Sequence, residues 1–360
     1  MAEPLKNMYN EAFFTEFSNK VKNVYPSFPT NQFINLIFDS SWDRKELKER
    51  IRHISTCLAQ TLPPMYRESL AILKQLSPHC KGFEYLFFPD FVEAYGLNER
   101  TESLQALKQF TSSSSAEFAI RPFIDADKEA TMTVLLQWAS DENEHVRRLA
   151  SEGCRPRLPW ARPLKQFKKD PTLILPILET LKDDPSEYVR KSVANNINDI
   201  AKDHPIIVKE LCRKWKGNSP YTDWIVKHGC RTLLRKADPE VLELFGFDCH
   251  PKIEIVNMHL STSTLKRGED IAFSFQITNE TAHCFKLRIE YAVDFVKARG
   301  HSSRKLFKIT ENTYETGTYS FSRKHSFKDL STRIHYPGEH HISIIVNGTE
   351  YAKRSFILTE

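Results

Sequence analysis

Three stretches, set side by side, decide the fold of the longer part of this chain: DENEHVRRLASEG (141–153), DDPSEYVRKSVANN (183–196) and NSPYTDWIVKHGCR (218–231). Val146, Val189 and Ile225 then correspond, and so do Arg148, Lys191 and Lys227. The step from Val146 to Val189 is 43 residues and the step from Val189 to Ile225 is 36. Each time an acidic or Asn/Ser/Pro turn leads into a helix, with a basic residue two places after the aligned apolar one. Periods of this length mark helical pairs that stack into a HEAT-like α-helical repeat solenoid. An irregular helical bundle with accidental similarity is the competing reading.

Working outward, residues 1–248 read as helices throughout. Apolar residues recur at spacings of three and four, as in Phe33, Leu36, Ile37 or Leu70, Leu73, Leu76. Prolines fall at breaks (Pro63-Pro64, Pro78, Pro171, Pro205), and glycine is scarce before Phe245. From about residue 250 the texture changes. IEIVNMHL, IAFSFQITN, FKLRIEYAVDFV, SRKLFKIT, TYSFSRKHSF and HHISIIVNG alternate apolar and polar residues or are rich in β-branched and aromatic types. Turn residues separate them at Lys266-Arg267-Gly268, Thr278-Asn279-Glu280, Pro337-Gly338 and Asn347-Gly348, the last a hairpin signal. Residues 249–360 are therefore expected to form an immunoglobulin-like β-sandwich.

Two domains suit a chain of 360 residues, and 40% hydrophobic with 27% charged residues is ordinary for a globular protein. The net charge of +5 is mild, so its distribution matters more. The N-terminus lacks the pattern of a secretory signal, and no apolar run approaches the roughly 20 residues that span a bilayer. The seven cysteines are scattered without a CxxC pair. A reducing, cytoplasmic setting is expected. Cys249-His250 with His259 hints at a metal but lacks tetrahedral ligand spacing. There is no GxxxxGK[ST], GxGxxG or HExxH motif and no zinc deaminase pattern. No metal and no cofactor are expected.

Charge concentrates in EHVRRLASEGCRPRLPWARPLKQFKK, with Arg147, Arg148, Arg155, Arg157, Arg162, Lys165, Lys168 and Lys169 against Glu144 and Glu152. Such a cluster suits phosphates, since each neutralised phosphate releases counterions and the guanidinium fork matches phosphate oxygens. A solvated helix face is the ordinary alternative. The prolines of RPRLPWARP oppose it, because they prevent a continuous helix and leave a loop that displays Trp160 among arginines. Trp160 then either stacks on a sugar or base or anchors the loop in the core. In the second repeat, Val189, Val193, Ile197 and Ile200 share an apolar arc, while Lys191, Ser192, Asn195 and Asp199 form a strip opposite. A carboxylate beside a phosphate-binding surface is a candidate for meeting positive charge in a transition state. An ion pair of Asp199 with Lys202 or Arg190 is the plainer reading. The serines of SSSSAEFAIRPFI form either a loop or a helix N-cap, and in the second case Glu117 sits in a first helical turn, with an i,i+4 pair to Arg121 as its plain explanation.

The chain resembles the AlkC branch of the HEAT-like repeat DNA glycosylases, the superfamily that also contains AlkD. The resemblance rests on LPPMYRESLAIL, FFPDFVEAYGL, SSSSAEFAIRPFI, HVRRLASEGCRPRLPWA and DPSEYVRKSVANNINDIAKDHP, in that order over residues 1–245. It implies hydrolysis of the N-glycosidic bond of cationic alkylated bases, notably 3-methylcytosine and 3-methyladenine, in double-stranded DNA and without a deep base-flipping pocket. It implies Glu117, Trp160 and Asp199 as the catalytic group. DNA contacts would fall to Arg121, Arg148, Arg155, Arg157, Arg162, Arg190, Lys191, Ser192, Asn195, Asn196, Lys227, His228 and Arg231. The sandwich would add contacts from its Lys266-Arg267 turn or the Arg299 to Lys305 stretch, and the protein would act as a monomer, away from membranes. A non-catalytic DNA-binding scaffold and a protein-interaction solenoid are the readings it competes with.

Overall fold

The three aligned stretches each form a helix: Glu144–Gly153, Glu187–Ile200 and Pro220–Gly229. The middle helix packs against both of the others. The computed structural model describes residues 3–248, 250–329 and 334–360. Among these, helices run from Glu11–Val24 to Pro239–Leu244, and eight strands follow.

Local signals set the helix starts. The Asn143 side chain accepts the backbone N–H of His145, and the Ser219 hydroxyl accepts that of Thr222, so each satisfies a donor the helix leaves open. Val189, Val193, Ile197 and Ile200 are buried as one stripe. Each such side chain contributes about 1.5–3 kcal/mol when fully buried. Two of the helices carry a glycine where a neighbour leaves no room for a side chain. A Cβ on Gly153 would lie 2.5 Å from Ile120 Cγ2, and one on Gly229 would lie 2.7 Å from Ile197 Cγ2. Further toward the N-terminus, Phe14, Phe17, Phe33, Phe87 and Phe88 form a buried aromatic cluster.

The strands are β1 (Glu254–Leu260), β2 (Thr264–Lys266), β3 (Asp270–Asn279), β4 (Phe285–Val296), β5 (Ser302–Tyr314), β6 (Gly317–Ser326), β7 (Gly338–Val346) and β8 (Thr349–Thr359). They form a three-stranded sheet in the order β1-β3-β6 and a five-stranded sheet in the order β2-β8-β7-β4-β5. Pairing is antiparallel except between β2 and β8. Phe273, Phe275, Ile289, Val293 and Ile344 fill the core between the sheets. This is the expected immunoglobulin-like sandwich. Asn347 and Gly348, at φ 47° and 82°, make the tight turn between β7 and β8. The Asn347 side chain accepts from the Arg288 N–H and donates to the carbonyls of Asp248 and Lys286. On β5, Arg304 is tied to both carboxylate oxygens of Asp294 and to Glu350, so this member of the Arg299 to Lys305 stretch is already paired.

The backbone forms two compact units. One holds the chain up to His204 together with Trp215–Gly229; the other holds Pro205–Lys214 and the chain from Cys230 onward. Among the described residues no helix is long and apolar enough to cross a membrane, and no group of three or more His, Cys, Asp or Glu is arranged to hold a metal. Cys249, part of the metal hint, lies outside the described residues. Cys212 and Cys230, both buried and free, have their sulfurs 3.3 Å apart.

Candidate active site

The proline-rich segment is a loop, as expected, joining the helices Glu144–Gly153 and Lys165–Lys169. Its base is fastened from inside. Arg121, at the start of the helix Arg121–Ala126, donates Nη1 to the carbonyls of Gly153 (3.0 Å) and Arg155 (2.9 Å) and Nη2 to that of Arg162 (2.7 Å). Burial pushes its guanidinium down to about 10. At the tip, Trp160 is 61% exposed and holds a left-handed φ of 64°, a conformation that strains a residue with a side chain. Trp160 therefore does not anchor the loop in the core.

Below this ring runs a chain of alternating charges. Arg148 Nη1 donates to Glu117 Oε2 at 3.1 Å and to the Ser115 hydroxyl at 3.0 Å. Its Nη2 is 3.6 Å from Glu152 Oε1, and Arg155 Nη1 donates to that oxygen at 2.6 Å. Arg155 Nε and Nη2 both reach Asp199 Oδ2 at 2.9 Å, and Lys202 Nζ reaches Oδ1 at 2.9 Å. Ser192 donates to the second oxygen of Glu152 at 2.6 Å. The order is acid, base, acid, base, acid, base. Burial works against the charge of Arg148, but Glu117 and Glu152 outweigh it and hold the guanidinium above its usual value. The same guanidinium lies 4.8 Å from the centre of the Tyr188 ring.

Glu117, Arg148, Glu152, Trp160 and Tyr188 line one open cleft of about 350 Å³. Asp199, 2% exposed, stands behind it at the end of the charge chain. Chemically, the cleft presents carboxylates of balanced charge beside an exposed indole. Such groups can stabilise a positive centre or hold a water for attack on it.

The structure brings Glu117 and Trp160 together and links Asp199 to them through Arg155 and Glu152. Other expectations change. The serines before Glu117 lie in a loop and not at a helix N-cap, so Glu117 is in a turn, and it pairs with Arg148, not Arg121. Asp199 pairs with Lys202, as the plainer reading had it, but also with Arg155. Arg190 instead donates to the carbonyls of Asp184 and Pro185. The expectation that Arg121, Arg155, Ser192 and Asn196 meet DNA directly is corrected, because each is buried in the stack. Arg121 fastens the loop and Arg155 neutralises two acids. Ser192 bonds Glu152, and the Asn196 amide donates to the Ser151 carbonyl.

The remaining basic positions are nearer the surface. Arg162, Lys191 and Lys227 are exposed, and Asn195 is half-buried. Arg157 is bonded to Asp203, which raises its guanidinium. Arg190 lies 4.0 Å from the centre of the Tyr221 ring, and His228 stacks on Trp224 at 5.0 Å. Arg231 begins the helix Arg231–Arg235 in the second unit. Two site residues escaped sequence reasoning, Glu152 and Tyr188. Glu152 sits four residues after Arg148 and three before Arg155, a spacing that puts it between them and was its one available signal. Tyr188 precedes the aligned Val189 just as Trp224 precedes Ile225.

Comparison with known proteins adds to this geometry. Residues 105–235 match the family model described as DNA alkylation repair enzyme, and residues 254–360 match the YhaZ C-terminal Ig-like domain. The chain is 47% identical over 345 residues to the uncharacterized protein YhaZ of Bacillus subtilis (strain 168), covering 96% of each. It superimposes on the alkylpurine DNA glycosylase AlkC of Pseudomonas fluorescens, solved bound to DNA containing an abasic site analog. The TM-score is 0.96 at 36% identity, over 99% of this chain and 100% of that one. The chain belongs to the AlkC-type DNA alkylation repair family, in the form with a C-terminal immunoglobulin-like domain.

Proposed function

We propose that this protein is a DNA glycosylase that hydrolyses the N-glycosidic bond of cationic alkylated bases, 3-methylcytosine and 3-methyladenine, in duplex DNA. The observation that carries the reading is the exposed Trp160 above the chain of Glu117, Arg148, Glu152, Arg155 and Asp199. The similarity to the solved AlkC supports it.

Methylation at N3 makes the base cationic and a better leaving group. The bond from C1′ to the base breaks, its electron pair leaves with the base, and the base departs neutral. A positive, oxocarbenium-like sugar remains, as in glycoside hydrolysis. Water adds to C1′ and gives its proton to one of the cleft carboxylates. Glu117 and Glu152 face the cleft where that charge develops; one stabilises it while the other orients the water. Asp199 acts from behind, through Arg155. The electron-rich face of Trp160 lies against the deoxyribose. The lesion is handled without an enclosed base pocket, a reading that the open cleft supports. Exposed Lys191, Lys227 and Arg162 hold phosphates, and the reaction uses no metal.

The test is release of the free base from duplex DNA carrying 3-methylcytosine or 3-methyladenine, with EDTA present. Release by the wild type supports the reading. Tight, salt-sensitive duplex binding without any release would favour the non-catalytic scaffold.

A further inference from the structure

We infer that Lys48, on a helix more than a hundred residues earlier in the chain, is a positioning residue that holds Trp160 in its working pose. The inference rests on the proposed glycosylase reading for its catalytic consequence, though not for its geometry.

Trp160 needs an external hold. It sits at the tip of its loop, mostly in solvent, with a left-handed backbone that a tryptophan adopts only when its surroundings impose it. Arg121 fixes the base of the loop, at the carbonyls of Gly153, Arg155 and Arg162. The contact at the tip comes from elsewhere. Lys48, in the helix Leu47–Thr61, donates Nζ to the Trp160 carbonyl at 2.5 Å. The same ammonium lies 4.7 Å from the centre of the Phe118 ring, next in sequence to Glu117. One cation thus ties the backbone of Trp160 to the segment that carries a cleft carboxylate.

The surroundings give this tie something to prevent. Trp160 lines two hollows. One is the open cleft with Glu117 and Glu152; the other, about 130 Å³, is lined by Lys48, Ile51, Phe118 and Ala119. The second hollow has apolar walls at Leu47, Ile51, Leu86 and Phe118 and charged ones at Arg52, Asp90 and Glu93. With the Lys48 bond gone, the strained backbone can relax and the ring can swing toward this hollow, away from the carboxylates. Misplacing a catalytic group by about 1 Å can cost as much as a hundredfold in rate.

The test is Lys48→Met, which keeps the length and apolar stem of the side chain and removes the ammonium. Lys48 is exposed, so the fold tolerates the change. Protein labelled with 5-fluorotryptophan gives one fluorine resonance for each of the five tryptophans, and Trp160→Phe identifies that of Trp160. In Lys48→Met the Trp160 resonance shifts or broadens while the other four stay in place. Single-turnover base release falls by roughly tenfold or more with duplex affinity unchanged, and Lys48→Arg, which can reach the same carbonyl, restores most of both. An unchanged Trp160 resonance overturns the inference. So does a moved resonance with an unchanged release rate. If the wild type releases no base, the glycosylase reading fails, and the fluorine spectrum alone still decides whether Lys48 holds Trp160.

Discussion

Replacing Arg155 by methionine tests whether the charge chain is truly interior. Arg155 Nη1 is 2.6 Å from Glu152, and its other two nitrogens are 2.9 Å from Asp199. The three side chains are 8%, 7% and 3% exposed. Removing one partner of a buried ion pair costs about 3–5 kcal/mol, because it leaves a charge both desolvated and unpaired. Here two carboxylates are stranded, which pushes the cost up. Lys202 still reaches Asp199 at 2.9 Å and Arg148 stays 3.6 Å from Glu152, which pushes it down. Methionine keeps the apolar stem, so little cavity is added. The expected loss is about 3–4 kcal/mol. Urea denaturation near neutral pH measures it, as a lower midpoint at unchanged slope. Adding Asp199→Asn removes one stranded charge, so the double variant should be more stable than the two single losses summed, by about 1–3 kcal/mol. A loss below about 1 kcal/mol, the range of surface pairs, would refute the buried arrangement.

Other outcomes follow from the same geometry. Trp160→Gly should be more stable than Trp160→Ala by about 1 kcal/mol, the reverse of the usual order, because only glycine adopts a φ of 64° without strain; denaturation midpoints of the two variants check this. Gly153→Ala should cost about 1–3 kcal/mol in a thermal or urea melt, since its Cβ would meet Ile120 at 2.5 Å in a packed interior. In the sandwich, the hydrogen bonds from Arg304 hold the Asp294 carboxyl below its ordinary value. A depressed carboxylate stabilises the fold above its unfolded value of about 3.9, and that contribution is lost as pH falls through the folded value. Asp294→Asn should therefore be less stable than wild type at neutral pH, with the gap closing on acidification; a gap that does not change with pH would refute the pairing.

Much of the fold was legible because it obeys simple periods. The register of Val146, Val189 and Ile225 marked three stacked helices, and the strands from Glu254 onward alternate as half-buried strands do. Asn347-Gly348 announced its hairpin through the one backbone conformation it favours. The site was less legible, for a reason that belongs to stacked helices. A helical wheel assigns one face of Glu187–Ile200 to the core and the other to water. This helix has a neighbour on each side, so Ser192, Asn196 and Asp199 are polar and buried at once. Their partners come from the preceding repeat, at Ser151, Glu152 and Arg155, more than forty sequence positions away or nearly so. Glu117 met its partner Arg148 across a similar gap, where i,i+4 reasoning pointed only to Arg121. Arg121 itself looked like a phosphate ligand, because nothing local reveals that three carbonyls of a distant loop need a donor.

The most direct test of the account compares base release by wild type, Glu117→Gln and Asp199→Asn on duplex DNA carrying a single 3-methylcytosine, in EDTA, alongside duplex affinity at the same salt. The account predicts that the wild type frees the base, while both variants bind the duplex but release it at least a hundredfold more slowly, for Glu117 because a preorganised charge is removed from the transition state and for Asp199 because Arg155 loses its partner and with it its place beside Glu152. A folded wild type that binds the duplex and frees no base from it would contradict the central claim. Full release by both variants would contradict the roles given to these two carboxylates.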